Sequence, residues 1–456
     1  MSGATTGRVR VVARSLLAVV SAAVLAVSAF AWIQVRVLDR STTSASVIGA
    51  SATAPAAEQN ILLLGVDSRT DPQGNPLPPA LLDALHAGGS DDGGDTADSI
   101  IVVHVPAGVG RATAVSIPRD SYVQVADGYG KHKINSAFSR AVAYTTDSLT
   151  NGDAASGAPT SPFAPEAAPA ASPNDPAVRR AALAAGARTT VDTVQDLTGL
   201  RITHFASVNL AGFADVSQAI GGVPVCLRAP VDDSYSGLRL PAGPQLVSGT
   251  QALAFVRQRH GLPNGDLDRV ARQQVFLAGA TSKLLSAGTL ANPFALDRLT
   301  GVMARSVTLD SGWNVLSFAT QMQGLSAGSV TFRTIPTGTI ELATPEDGQA
   351  VKVDPAQVRS FVGDAIDLDA GIVAQPPTPS DAAVTRAASR SDDGMNSTGS
   401  NSGSASSDSG SGSANSGSDS DSTDPSADGA DRATTTPAPA VPVPPPITAA
   451  APGCVN

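Results

Sequence analysis

Short apolar runs alternating with helix-period segments predict an α/β layer fold, and a long uncharged stretch near the N-terminus predicts one transmembrane helix ahead of it. A third observation bounds the folded part. Of the 456 residues only 4% are aromatic, and many of the 43 Gly and 33 Pro fall in two low-complexity stretches. What remains, 58–373, suffices for one large domain with a sizeable core.

Taken in order, residues 1–14 carry Arg8, Arg10 and Arg14 and read as a cytoplasmic N-terminus. Residues 15–35 lack charge and are rich in Ala, Val and Leu, about 20 residues and enough to cross a bilayer as a helix. A cleaved signal peptide with Ala29-Phe30-Ala31 as its site is the alternative. The apolar stretch is longer than the roughly 7–15 residues such a peptide uses, which favours a retained anchor in the cell membrane. Either way the rest of the chain is extracytoplasmic. Residues 36–57 form a linker of small residues.

The first buried strand is Asn60 to Val66, ending in Asp67-Ser68-Arg69. A Gly, Pro and Asp-rich loop with one helical turn around Leu81 to Leu85 leads to a second strand, Ser99 to Val105. Pro106-Ala107-Gly108 turns the chain into a third, Ala112 to Ile117, so these two make a hairpin. Residues 145–176 lack periodicity and read as a disordered insertion. A helix over Ala177 to Leu197 stops at Gly199, a strand runs from His204 to Val208, and a helix from Leu210 to Ile220 closes at Gly221-Gly222. Ser248-Gly249-Thr250-Gln251 has capping-box spacing for a short helix over Ala252 to Arg257. Asp266 reads as the N-cap of a helix reaching Leu285. The Ser, Gly and Pro-rich residues 374–456 read as a disordered tail.

Charge narrows the function. The chain is acidic, net −10, without a basic stripe, which excludes nucleic acid as a partner. Yet basic residues gather at two places far apart: Arg119, Lys131 and Lys133, then Arg257, Arg259, Arg269 and Arg272. The planar donor fork of Arg suits phosphate oxygens. Arg257 and Arg259 diverge on a helix and converge only if the helix ends there, as Gly261 and Pro263 dictate. Arg269 and Gln273 share a face one turn apart, with Arg269 where a helix N-terminus favours an anion. The bland alternative is an amphipathic helix with a solvated Arg face.

Asp67 and Asp98 lie at adjacent ends of the first two strands. If those strands are antiparallel the carboxylates meet, and a hard cation such as Mg²⁺ takes one or two carboxylates plus phosphate and water oxygens. Otherwise each caps a turn. Arg119-Asp120 closes the third strand, with Lys133 and Asn135 near the same edge. His104, His132, His204 and His260 show no metal-ligand spacing and read as structural. Cys226 and Cys454 in an exported chain tend to pair, which would staple the tail to the domain; two free thiols are the alternative. No nucleophile elbow, Walker loop or H-E-x-x-H occurs.

Together, Asn60 to Arg69, Ala97-Asp98-Ser99, Ser116 to Asp120, Lys133-Ile134-Asn135, Phe255 to His260 and Asp266 to Gln274 resemble the LytR-CpsA-Psr family over roughly Asn60 to Leu285. The Gly/Ala-rich style and the helix around Ala356 to Ile366 are similar to its actinobacterial branch. The resemblance implies a central mixed β-sheet flanked by helices. It implies a membrane-anchored phosphotransferase that takes a glycopolymer from a polyprenyl-diphosphate carrier and joins it to peptidoglycan by a phosphodiester. Under it, Asp67 and Asp98 hold Mg²⁺; Arg119, Arg257, Arg259, Arg269 and Gln273 clamp the diphosphate; Lys133 and Arg69 stand close by. The general base is Asp120 or Asp67, and arabinogalactan is the expected polymer. Competing readings are a diphosphatase, in which water replaces the sugar acceptor, and a lipid-binding or regulatory envelope protein. A glycosidase using the two aspartates leaves the arginines unexplained.

Overall fold

Strand β2 (Gln59–Val66) explains the architecture, because it is buried on both faces and pairs on both edges. In the computed structural model the described residues are 43–48, 58–89, 94–108, 110–151, 172–258, 260–263, 266–284, 293–311, 313, 329–371, 446–449 and 453–456. The anchor stretch 15–35, most of the expected insertion and Arg259 lie outside them. Among the described residues no helix is long and apolar enough to cross a membrane.

The central sheet has eight strands in the order β1 (Thr43–Ala45), β12 (Val307–Asp310), β7 (His204–Asn209), β2, β3 (Ala97–Val105), β4 (Ala112–Ile117), β13 (Val330–Thr334) and β16 (Ile447–Thr448). It is mixed: β2 runs parallel to β7 and antiparallel to β3, and β4 runs antiparallel to β3 and parallel to β13. Side-chain alternation gives the sheet two packed faces. Leu62, Leu64, Ile100, Val102 and Val115 face one core, whereas Ile61, Ile101, Ala112 and Ala114 face another.

The first face is covered by helices α2 (Ser136–Asn151), α3 (Pro176–Thr198) and α8 (Pro355–Asp369). Gly186 lets α3 approach α2 closely, since a Cβ there would lie 2.8 Å from the Phe138 carbonyl oxygen. A second sheet, β14 (Leu342–Thr344), β15 (Gly348–Lys352), β5 (Ser121–Val125) and β6 (Gly130–Lys133), extends from the end of β4. The other face carries α4 (Leu210–Ala219), α5 (Gly249–Arg257), α6 (Asp266–Leu284) and α7 (Pro293–Ser306), with hairpins β8 (Val223–Leu227)/β11 (Gly243–Val247) and β9 (Val231–Asp233)/β10 (Leu238–Leu240). Gly279 of α6 packs onto β8 so tightly that a Cβ would sit 2.3 Å from the Pro224 carbonyl oxygen. The short helix α1 (Pro79–Ala84) lies in the loop after β2.

Three expectations change. Residues 145–151 are not insertion but the last turns of α2, whose Ala137, Phe138, Ala141, Val142 and Thr145 are buried; residues 152–171 lie outside the described ones. Ser248 is the N-cap of α5 but makes no side-chain cap bond; the exposed donor of Gly249 goes instead to Ser217 Oγ at 2.8 Å. Asp266 is the first helical residue of α6 rather than the residue before it.

The far C-terminus is also not free tail. Cys226 and Cys454 form a disulfide with Cα atoms 4.4 Å apart. Val455 then bridges to Leu227 in parallel, its N–H bonding the Cys226 carbonyl at 2.9 Å. The fully buried Arg272 donates from Nε to the Asn456 oxygen and from Nη1 to Gln258 Oε1 at 2.5 Å, and lies over the Phe255 ring. The described residues 446–449 and 453–456 accordingly belong to one compact unit with the described residues up to 371.

Candidate functional site

Because β2 and β3 are antiparallel, the C-terminal end of one meets the N-terminal end of the other, and Val66 pairs with Ala97. Asp67 and Asp98 therefore emerge at the same end of the sheet. Asp67 Oδ1 accepts from Arg69 Nη1 at 2.5 Å, and Arg69 is anchored in turn by the Ala87 carbonyl at 2.5 Å. Asp98 Oδ1 accepts from Arg119 Nη1 at 2.8 Å and from the Thr96 hydroxyl at 3.3 Å. Burial raises the pKa of Asp67 above the ordinary carboxylate range; Arg69 and Arg257 oppose that shift, and the Asp98 charge adds to it. Two like charges held close in a half-buried place are favoured by a cation nearby.

Arg257 is the last residue of α5, where its Nη1 faces the Leu85 and His86 carbonyls at 3.3 and 3.4 Å, just past α1. That position explains its electrostatic hold on Asp67. On α6, three consecutive polar residues point three ways. Arg272 fixes the C-terminus, and buried Gln274 reaches Ser116 and Thr334 across the sheet at 3.1 and 2.8 Å. Gln273 faces a cavity of about 600 Å³, as does Arg269 one turn earlier.

Asp67, Asp98, Arg257, Arg269 and Gln273 all line this one cavity. The second basic cluster thus meets the two aspartates, more than a hundred residues earlier in the chain, while Arg119 of the first cluster reaches the cavity only through Asp98. Behind the polar end the wall becomes apolar, with Leu63, Ile101, Phe213, Val216, Phe276 and Leu284 among its residues. The chamber is a long apolar pocket under a charged mouth, the form expected for an amphiphilic ligand.

The other expected residues stand around it. Arg69 is 8% exposed and holds Asp67; Arg119 holds Asp98, so both position carboxylates from outside the lining. Asp120 is paired with Arg119 at 3.6 Å and Lys133 at 3.5 Å, one step further out. Asn135 works through its backbone, accepting from Ala97 N–H and donating to the Arg119 carbonyl, which ties this corner to the start of β3. His260, read from sequence as structural, instead lies 60% exposed at the cavity mouth, beside Tyr235, Asp233 and His86. Of these, only His260 had a sequence signal, its place in the Arg257 cluster; Asp233 ends β9 and the others lie in turns, all brought here by tertiary folding.

Asp67 and Asp98 fit a hard cation. Both carboxylates line the same cavity, and two carboxylates plus phosphate and water oxygens make a suitable Mg²⁺ set. No group of three or more acidic, His or Cys ligands occurs among the described residues, so the anion would have to complete the shell.

The sequence profile of the LytR_cpsA_psr family matches residues 36–352. The cell wall biosynthesis protein LcpA of Corynebacterium glutamicum is 39% identical over 358 residues, covering 77% of this chain and 65% of that protein. The probable cell wall biosynthesis protein LcpB of the same organism is 33% identical, covering 60% of this chain and 54% of its own length. The alignments thus span less than two thirds of either relative. A solved LytR-Csp2A-Psr enzyme from Actinomyces oris aligns at 20% identity over 71% of this chain and 95% of that one, with a TM-score of 0.46.

Proposed function

Since the chain belongs to the LytR_cpsA_psr family, we propose that it transfers a cell-wall glycopolymer from a polyprenyl-diphosphate carrier to peptidoglycan, forming a phosphodiester. The observation that carries the reading is the convergence of Asp67, Asp98, Arg257, Arg269 and Gln273 on one cavity whose other lining is mostly apolar. A polyprenyl chain fits the apolar part, and its diphosphate then falls among the charges. A relative in Enterococcus faecalis, 34% identical over 107 residues that cover 24% of this chain and 35% of its own, is named a polyisoprenyl-teichoic acid–peptidoglycan teichoic acid transferase. For this chain, arabinogalactan is the polymer proposed.

Phosphoryl transfer of this kind needs charge neutralisation and positioning more than a protein nucleophile. Arg257, Arg269 and Gln273 would hold the diphosphate oxygens, and Arg259 is assigned there from its sequence position. Asp67 and Asp98 would hold Mg²⁺, which when bound supplies charge neutralisation for the leaving polyprenyl phosphate. Arg69 and Arg119 keep the two carboxylates aimed. Of the two candidate bases, Asp67 lines the cavity and Asp120 does not, which favours Asp67.

The disulfide supports an oxidising, extracytoplasmic setting. Anchoring through residues 15–35 in the cell membrane would place the cavity where lipid carriers are presented.

The test supplies the protein with a polyprenyl-diphosphate glycan, peptidoglycan and Mg²⁺ and compares wild type with Arg257→Ala. Glycan joined to the wall by wild type, and at least about a hundredfold less by the variant, supports transfer; one lost charged donor in a preorganised site has that magnitude. Free polyprenyl phosphate without joined glycan points to a diphosphatase, and bound but unchanged lipid to a binding protein.

A further inference from the structure

Among the described residues Tyr235, 73% exposed, is the most exposed large hydrophobic side chain, and it lines this cavity. Its ring stacks on His260, centroids 4.0 Å apart and planes inclined by 25°. Both side chains line the cavity, together with Arg257 and Arg269.

The stack is held rigidly. Tyr235 lies at the tip of the β9/β10 hairpin, where buried Asp233 accepts the Tyr235 N–H at Oδ1, 3.1 Å, and the Ser236 hydroxyl at Oδ2, 2.7 Å. Gly237, at φ 73°, closes the turn, and the His86 ring packs where a Cβ would be, 2.8 Å from its Nε2. On the other side, His260 Nδ1 lies 3.9 Å from Asp233 Oδ1, and its carbonyl accepts from Gln258 Nε2 at 2.9 Å. Gln258 is bonded to Arg272, so the platform rests on the same buried support as α6.

We propose that the Tyr235–His260 pair is a sugar-binding platform on which a sugar ring next to the diphosphate stacks. This rests on the transferase reading and specifies its substrate contact. With the lipid in the apolar pocket and the diphosphate among the arginines, the next group outward is a sugar, and a stacked aromatic pair offers its ring a flat apolar face. The shared chemistry is a pyranose or furanose, from either the donor glycan or the peptidoglycan acceptor.

Steady-state transfer by the full chain, wild type against Tyr235→Ala and Tyr235→Phe, tests this, alongside binding of two probes: polyprenyl diphosphate, and polyprenyl diphosphate carrying one hexose. Loss of one aromatic contact of this kind is a two- to tenfold effect, roughly. The alanine variant should raise KM for either donor or acceptor by that factor, with kcat little changed and the phenylalanine variant close to wild type. If the donor is the source, the hexose-bearing probe loses affinity and bare polyprenyl diphosphate does not. If the acceptor is the source, only the peptidoglycan KM moves. Unchanged KM for both substrates in Tyr235→Ala overturns the platform while leaving transfer by wild type intact. Absence of transfer by wild type, with the bare lipid still bound, would instead remove the reading beneath it.

Discussion

Asp67 shows how a single residue here serves opposed demands. It bonds a cation at 2.5 Å, yet its pKa is raised because burial outweighs the Arg69 charge. If the deprotonated form is the one that holds Mg²⁺, activity should fall on the acid side at a pH above the ordinary carboxylate range. Arg69→Met removes the main charge that lowers this pKa, so the acid limb of kcat/KM should move further toward neutrality. A limb that stays in place in that variant would show that another group controls it. The aspartates, Arg119 and Arg257 were legible in the sequence because each borders an apolar run. Their division of labour was not: Arg69 and Arg119 as holders of carboxylates, and Arg257 and Arg269 as lining, depend on loop approach that no local spacing encodes.

At the scale of elements, strands read well where burial made them continuous, and the hairpin of β3 and β4 fell where Pro106 and Gly108 placed it. Helix α2 went unread, and its last turns were taken for insertion, because three of its five buried residues are Ala or Thr, which look like the small-residue segment that follows. Strands β5 and β6 were missed because they are short and carry polar residues at both buried and exposed positions, such as Ser121, Gln124, Lys131 and His132. Strand β7 carries a pH liability. His204 stacks on Trp313 at its start, and burial lowers its pKa to about 4. The unfolded chain takes a proton at that histidine below about 6.5 while the folded chain does not, so stability should decline as pH falls from about 6.5 to 4. His204→Phe should flatten that part of a thermal-melt pH series; an unchanged slope would assign the acid sensitivity elsewhere. On α6, Arg272→Met should lower stability by about 1–3 kcal/mol in denaturant titration, since Gln258 Oε1 is left buried without its donor.

Across the whole molecule, the disulfide is what turns the end of a low-complexity tail into part of the domain. It links residues 228 apart in sequence and brings Val455 beside β8 and Asn456 to Arg272. Cys454→Ser should cost about 2–5 kcal/mol of stability and leave the variant insensitive to reductant, whereas wild type should fall to the variant's stability on reduction. A variant as stable as wild type would mean that the strand and Arg272 contacts hold this end without the covalent link. The sequence allowed the pairing without requiring it, because spacing cannot supply the Cα distance that the fold brings to 4.4 Å.

The central claim is that Asp67 and Asp98, remote in sequence from Arg257 and Arg269, join them in gripping one diphosphate and its metal. Titrating polyprenyl diphosphate into wild type, Asp67→Asn, Arg257→Ala and the double variant, with and without Mg²⁺, tests it directly. Residues that act on one ligand couple, so the two single losses should fail to add in the double variant, and Asp67→Asn should abolish the Mg²⁺ dependence. Fully additive losses, or binding by Asp67→Asn that still responds to Mg²⁺ as wild type does, would contradict the account.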